Sequence, residues 1–201
     1  MDRREALKLS LLAGSGLFAG GAHAAQCEGD GTPAQFVPKK AADPKANEND
    51  VEKFPKCPYC GMDRTQYHHS RMLIQYSDDV ADGTCSIHCS AISLSLNVDR
   101  DPKAIWVGDN AAAGDVKPLV EVDKATFLVG SSIKGVMTKR SKVAYGGAEA
   151  AKAAQAGNGG ELANFDQALL AAYTDMANDV SMIRKMRAER RKKMMEAQQK
   201  G

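Results

Sequence analysis

Between residues 70 and 165 the chain runs twice through the same order of short patterns, and this constrains its fold more than any single motif. In the first pass "RMLIQYSDDVADGTCSI" reads as two short strands around an Asp82-Gly83 turn, "HCSAISLSLNV" as a helix and "PKAIWVGD" as a closing strand. In the second, "EVDKATFLVGS" and "GVMTKRSKVAYG" read as extended segments, "GAEAAKAAQAG" as an alanine-rich helix ended by glycine, and "GELANF" as a strand. The order is shared but the letters are not, so the pattern alone leaves a duplication open. Either way the class is α+β, with helices lying on antiparallel strands. The boundaries place a first ββαβ-like unit at 56–115 and a second at 116–175.

A single long helical pattern then runs from Phe165 to Lys200. Leu169, Leu170, Tyr173, Met176, Val180 and Ile183 recur every three or four residues and make one apolar face. Beyond Arg184 the pattern turns cationic, with Met186, Met194 and Met195 interspersed, so 176–201 is expected as a charged C-terminal helix. Its plain reading is a solvated helix end whose cations complement the helix dipole. A docking or anionic-surface helix is the sharper one. Aromatics are 5% of the chain with a single tryptophan, so the core is expected to be small, aliphatic and methionine-rich.

The start of the chain has a different character. A basic opening, an apolar stretch from Leu9 to Phe18 and the small-x-small string Ala22-His23-Ala24 have the layout of an export signal, expected to be cleaved after residue 24. Arg3-Arg4 resembles the twin-arginine type. The apolar stretch falls short of the about 20 residues needed to span a bilayer, and no other segment is apolar enough to cross one. Gln26 stands before Cys27 where a lipoprotein signal needs a small residue, which favours a soluble periplasmic form over a lipid anchor. Residues 25–55, rich in Pro, Ala, Lys, Asp and Asn, read as a flexible arm. A net charge of +2 is too small for a nucleic-acid partner.

Five cysteines in an exported chain leave at least one unpaired, metal-bound or intermolecular. The candidates for chemistry are Cys57, Cys60, Met62, His68, His69, Cys85, His88, Cys89 and Met137. Cys57-Pro58-Tyr59-Cys60 has the spacing of a thiol–disulfide redox couple, but no compact βαβ unit surrounds it. Cys57 and Cys60 with Cys85 and Cys89 would suit a structural zinc closed by two cysteine pairs. Read as small buried hydrophobes, Cys85 and Cys89 need no function. Cys60-Gly61-Met62 offers a thiolate and a thioether on one short turn, which matches the soft ion Cu(I). A thioether has no proton to lose and cannot enter a disulfide.

Cys60-Gly61-Met62, the cysteines opening the first helix, "AIWVGD" and "GVMTKRSKVAYGG" together resemble the NosL family over roughly residues 54 to 175. That resemblance implies an exported accessory protein of nitrous oxide reductase. Such a protein is not an enzyme. It binds Cu(I) and passes it to the machinery at the membrane that assembles the copper centres of that enzyme during denitrification. It also implies two tandem ββαβ-type units. Carried onto this sequence, the ligand thiolate is Cys60, with Met62 beside it and Met137 from the second unit, and His69 is the candidate to complete the set. Cys57 and the basic helix after Met176 are departures that the family motif does not account for. A Cys57–Cys60 disulfide that masks the copper thiolate until reduced is left open.

Overall fold

Strands β1 (Met72–Tyr76), β2 (Ala81–Thr84), β3 (Pro102–Gly108) and β4 (Leu119–Glu121) form one antiparallel sheet in the order β2-β1-β3-β4. A second antiparallel sheet joins β5 (Thr126–Val129), β6 (Lys142–Tyr145) and β7 (Glu161–Ala163) in the order β6-β5-β7. The helices are α1 (Asp50–Lys53), α2 (Ile87–Leu96), α3 (Ala148–Asn158) and α4 (Phe165–Gln198). In each sheet the first strand is central, flanked by its hairpin partner and by the strand that follows the helix. This is the α+β architecture the sequence implied, with two small antiparallel sheets and a long C-terminal helix. The computed structural model describes residues 40–199. The export signal at 1–24, Cys27 and the arm up to residue 39 lie outside the described residues.

One core joins both halves. Met72 of β1, Ile87 and Ala91 of α2, Phe127 of β5 and Ala168 and Ala172 of α4 belong to the same buried cluster. On the other face of the first sheet, Leu73 packs with Ala46, Phe54, Ala81 and Trp106. Strand β1 is therefore buried along its whole length, which is why "MLIQY" shows no clean apolar–polar alternation. Helix α4 begins with a reciprocal cap between Asn164 and Gln167 and runs unbroken for 34 residues. The structure has no interruption at 175/176, where the second unit and the charged helix were divided.

Three local expectations change. The turn of the first hairpin is Ser77–Val80, with Asp79 at φ 60°, and not Asp82-Gly83. Gly83 instead lies within β2 opposite Leu73. A Cβ there would stand 2.7 Å from the Arg64 guanidinium and closer still to Phe54, so its glycine makes room for a buried arginine. Second, residues 40–55 do not form a free arm. Asp43 receives the side-chain amide of Gln75 through its carbonyl (3.1 Å), and Asp50 is buried in an ion pair with Arg64 and Arg71. Most of their polar side chains face solvent, while Ala46 and Phe54 cover the sheet. Third, only Lys142–Tyr145 of "GVMTKRSKVAYG" is strand. The stretch before it is a loop that carries Met137 in the left-handed region at φ 59°.

Candidate metal centre

The first half of the centre is a tight knuckle. The Gly61 amide donates to the Cys57 carbonyl (2.9 Å), the Cys57 amide to the Met62 carbonyl (2.9 Å), and Lys56 pairs with Asp63 in an isolated antiparallel bridge. Closing the turn puts Gly61 at φ 76°, a conformation that glycine adopts without the steric penalty of a Cβ. Cys57 and Cys60 are thereby turned to the same side. Tyr59 anchors the knuckle by a short hydrogen bond from its hydroxyl to Asp82, which also accepts from Ser93 (2.6 Å). Burial, aided by that carboxylate, pushes the Tyr59 hydroxyl well above the usual phenol range, so it stays a donor.

The second half is the entry to α2. Cys85 precedes the Ser86 cap, and Cys89 lies one turn on, so the two sulfurs share one face at an i, i+4 spacing. The backbone here is tied from the knuckle side, by Ser70 Oγ to the Cys85 carbonyl (2.8 Å) and by Arg64 Nε to the Thr84 carbonyl (3.1 Å).

Together the halves gather four sulfurs. Cys57, Cys60, Cys85 and Cys89 place all their Sγ atoms within 4.8 Å of one another. Cys85 lies 3.4 Å from Cys60 and 3.7 Å from Cys89. A regular tetrathiolate with metal–sulfur bonds of about 2.3 Å has sulfur–sulfur edges of about 3.8 Å, so the cluster is already close to the size that a d¹⁰ ion requires. Cys57, Cys85 and Cys89 are buried, and only Cys60 is partly open. All four are free thiols. Hydrogen bonds from Cys60, and then from Cys85 and Cys89, pull Cys57 far below the ordinary thiol range. Cys60 is lowered too: its contact with Cys57 works upward, and bonds from Cys85 and Cys89 outweigh it. Cys85 and Cys89 are pushed up, chiefly by Cys57 and then Cys60.

The sequence-expected ligands divide around this cluster. Cys60 belongs to it, and Met62 and Met137 both pack against it from loops of different units. Tyr67 packs against the cysteine cluster, and the His69 ring sits at 6.5 Å from that of Tyr67 and 5.8 Å from that of His68. Burial, then the neighbouring His68, lowers the His69 pKa. The His68 Nδ1 accepts the Lys117 amide (3.2 Å), so that nitrogen is committed. Cys57, Cys85 and Cys89 are the residues that linear reasoning underweights. Their only linear signal is two cysteine pairs set 25 residues apart, the separation of Cys60 from Cys85.

Helix α4 crosses this region. Asp179 lies 3.6 Å from Nδ1 of His88, the residue between Cys85 and Cys89, and neither of the two facing atoms has a hydrogen-bond partner. Burial holds His88 below the usual histidine range, with Asp179 acting in the opposite direction. The other Asp179 oxygen receives the Lys139 amide (3.2 Å), two residues past Met137. Two turns farther on, Arg187 donates to the Cys60 carbonyl (3.0 Å). Nothing in the linear spacing foretells these contacts.

The NosL family model matches residues 48–171. No curated protein matches the chain. Among solved structures, it is similar to the crystal structure of the copper chaperone NosL from Shewanella denitrificans at 24% identity, covering 64% of this chain and 95% of that one with a TM-score of 0.47. It is also similar to the solution structure of apo-NosL from Achromobacter cycloclastes at 21% identity, covering 47% and 82% with a TM-score of 0.34.

Proposed function

The chain belongs to the NosL family, and from that premise we propose that it is an exported Cu(I) chaperone. The observation that carries this reading is the convergence of four free thiols within 4.8 Å, with two thioethers packed against them. Sulfur donors of this kind match a polarisable d¹⁰ ion and disfavour hard cations. Copper is the cargo and transfer is ligand exchange, so the chain acts as a carrier and performs no catalytic step. Cys60, the partly exposed sulfur, is the point of entry and exit. Met62 and Met137 supply weaker donors beside it, and His69 is the candidate to complete the set. The twin-arginine-type leader directs the protein to the periplasm. The acceptor is the membrane-associated machinery that builds the copper centres of nitrous oxide reductase, as the family resemblance implies.

Metal analysis of protein purified after export tests this directly. One copper per chain is expected, with the four clustered thiols shielded from thiol reagents. Cys60→Ser is expected to lose rapid exchange with a competing chelator, because the remaining three sulfurs are buried. A second reading has its own support: sulfur–sulfur distances of 3.4 and 3.7 Å also suit a closed zinc tetrathiolate. Protein that purifies with one zinc and unfolds on chelation would establish that reading instead. Catalysis of thiol–disulfide exchange by the metal-free chain, stopped by Cys57→Ser, would point to redox chemistry.

Met137 gives an independent check. A non-glycine residue in the left-handed region is strained by roughly 1–3 kcal/mol. Met137→Gly relieves that strain while removing the thioether, so the thermal midpoint is expected to hold as Cu(I) affinity falls about tenfold, or about 1.4 kcal/mol. A lower midpoint with unchanged affinity would make Met137 an ordinary packing residue.

A further inference from the structure

The end of α4 stands clear of the core. Every residue from Arg184 to Gln199 is exposed, and the family match ends at residue 171, so this stretch is an addition to the family's core. Residues 184–193 read "RKMRAERRKK". Cations at 184, 187, 190 and 191 recur at three- and four-residue spacings, where like charges on a helix repel. Among the described residues the one ion pair in this stretch is Lys192–Glu196 at 3.9 Å. Arg184, Lys185, Arg190, Arg191 and Lys193 have no carboxylate partner there. A polar helix of this kind, uncovered and self-repelling, lacks the packing that normally keeps a segment helical in water.

The position of the stretch is as informative as its charge. Arg187 hydrogen-bonds the carbonyl of Cys60, so the cationic helix starts at the one partly open sulfur and extends from it. From Arg187 to Gln198 the helix covers about 16 Å at about 1.5 Å per residue. We propose that this helix is a docking rail for an acidic face on the metal acceptor, which aligns the acceptor's sulfur ligands with Cys60. The inference rests on the copper-carrier reading above. Long-range attraction raises the encounter rate, and the fixed origin at Cys60 sets the register. An anionic membrane surface fits less well. A helix that lies in a bilayer interface presents a continuous apolar face with bulky anchors, whereas 184–199 contains only methionines and alanines as apolar residues.

The test uses the full chain and a synthetic helical acceptor peptide with a Cys-x-x-Cys end and a glutamate-rich body. The control peptide carries glutamine in place of each glutamate. Cu(I) transfer to the acidic peptide is expected to be at least about tenfold faster at low salt, an advantage lost at about 1 M salt, where the screening length is about 3 Å. The quadruple variant Arg190→Glu, Arg191→Glu, Lys192→Glu, Lys193→Glu changes exposed positions only, and should lose the advantage while keeping copper affinity. Equal transfer rates to both peptides would overturn the proposal. So would binding to anionic phosphatidylglycerol vesicles through these four positions without any advantage for the acidic peptide. Fluorescence anisotropy of the labelled acidic peptide with metal-free chain needs no copper. Failure to bind copper would therefore sink the carrier reading, while absence of charge-dependent peptide binding sinks the docking rail.

Discussion

Replacing Cys85 by serine is expected to weaken Cu(I) binding by about two to three orders of magnitude. The estimate comes from sharing a tetrathiolate binding free energy of about 10–16 kcal/mol among four donors, which gives about 2.5–4 kcal/mol for each. Cys85 is the residue to choose because its sulfur lies within the cluster, at 3.4 Å from Cys60 and 3.7 Å from Cys89, and belongs to only one of the two possible ligand sets. Cys60→Ser affects both possible ligand sets, the four cysteines and the set of Cys60, Met62 and Met137. Cys85→Ser affects only the first. Competition against a Cu(I) chelator of known affinity, without oxygen, reads the difference. Unchanged affinity would show that the ion is held by Cys60 and the two thioethers, with the buried thiols as packing. Serine is nearly the size of cysteine, and a thermal melt of the variant separates a lost ligand from a lost fold.

That experiment addresses the part of the centre that was hardest to read from the sequence. The order of strands and helices was legible because each element carries its own local period, as in "GAEAAKAAQAG", although that helix runs through Gly157, the glycine expected to end it, to Asn158 before Gly159. Cys60 and Met62 stood out as two sulfurs on one glycine turn within a stretch that resembles the NosL family, and both lie at the cysteine cluster. Cys85 and Cys89 were read two ways, as half of a four-cysteine metal site or as packing, since a buried cysteine on a helix looks the same whether it packs or ligates. What distinguishes them is the knuckle lying over α2, which depends on Arg64, Ser70 and Tyr59 reaching across from residues distant in sequence. The hairpin turn was misplaced for a related reason. Asp82-Gly83 has the letters of a turn, but Gly83 is glycine because Arg64 occupies the space of its side chain. His69 came from the family resemblance as the candidate to complete the set, and its ring lies 6.5 Å from that of Tyr67, which packs against the cysteine cluster.

The same buried arginine leads to the largest stability effect. Asp50→Ala is expected to destabilise the fold by about 3–5 kcal/mol, because it leaves two buried guanidinium groups without their counter-charge. Asp50 receives Arg64 at 2.7 Å and Arg71 at both carboxylate oxygens, 2.9 Å each, with side-chain exposure of 6% or less on all three residues. For a domain of this size that corresponds to a fall in thermal midpoint of about 6–20 °C. Lys45→Ala, on the same segment but exposed, should change it by no more than about 0.5 kcal/mol. The consequence reaches the metal centre. Arg64 also donates to the Phe54 carbonyl (2.7 Å), three residues before Cys57, and to the Thr84 carbonyl (3.1 Å), next to Cys85. One side chain thus ties both cysteine pairs to the same carboxylate, and loosening it should raise the free energy of the assembled cluster. Because copper binds the assembled form, saturating Cu(I) is expected to recover part of the lost midpoint in Asp50→Ala. A midpoint unchanged by the substitution would restore residues 40–55 to a loose arm and leave the knuckle to be held by Tyr59 and Ser70.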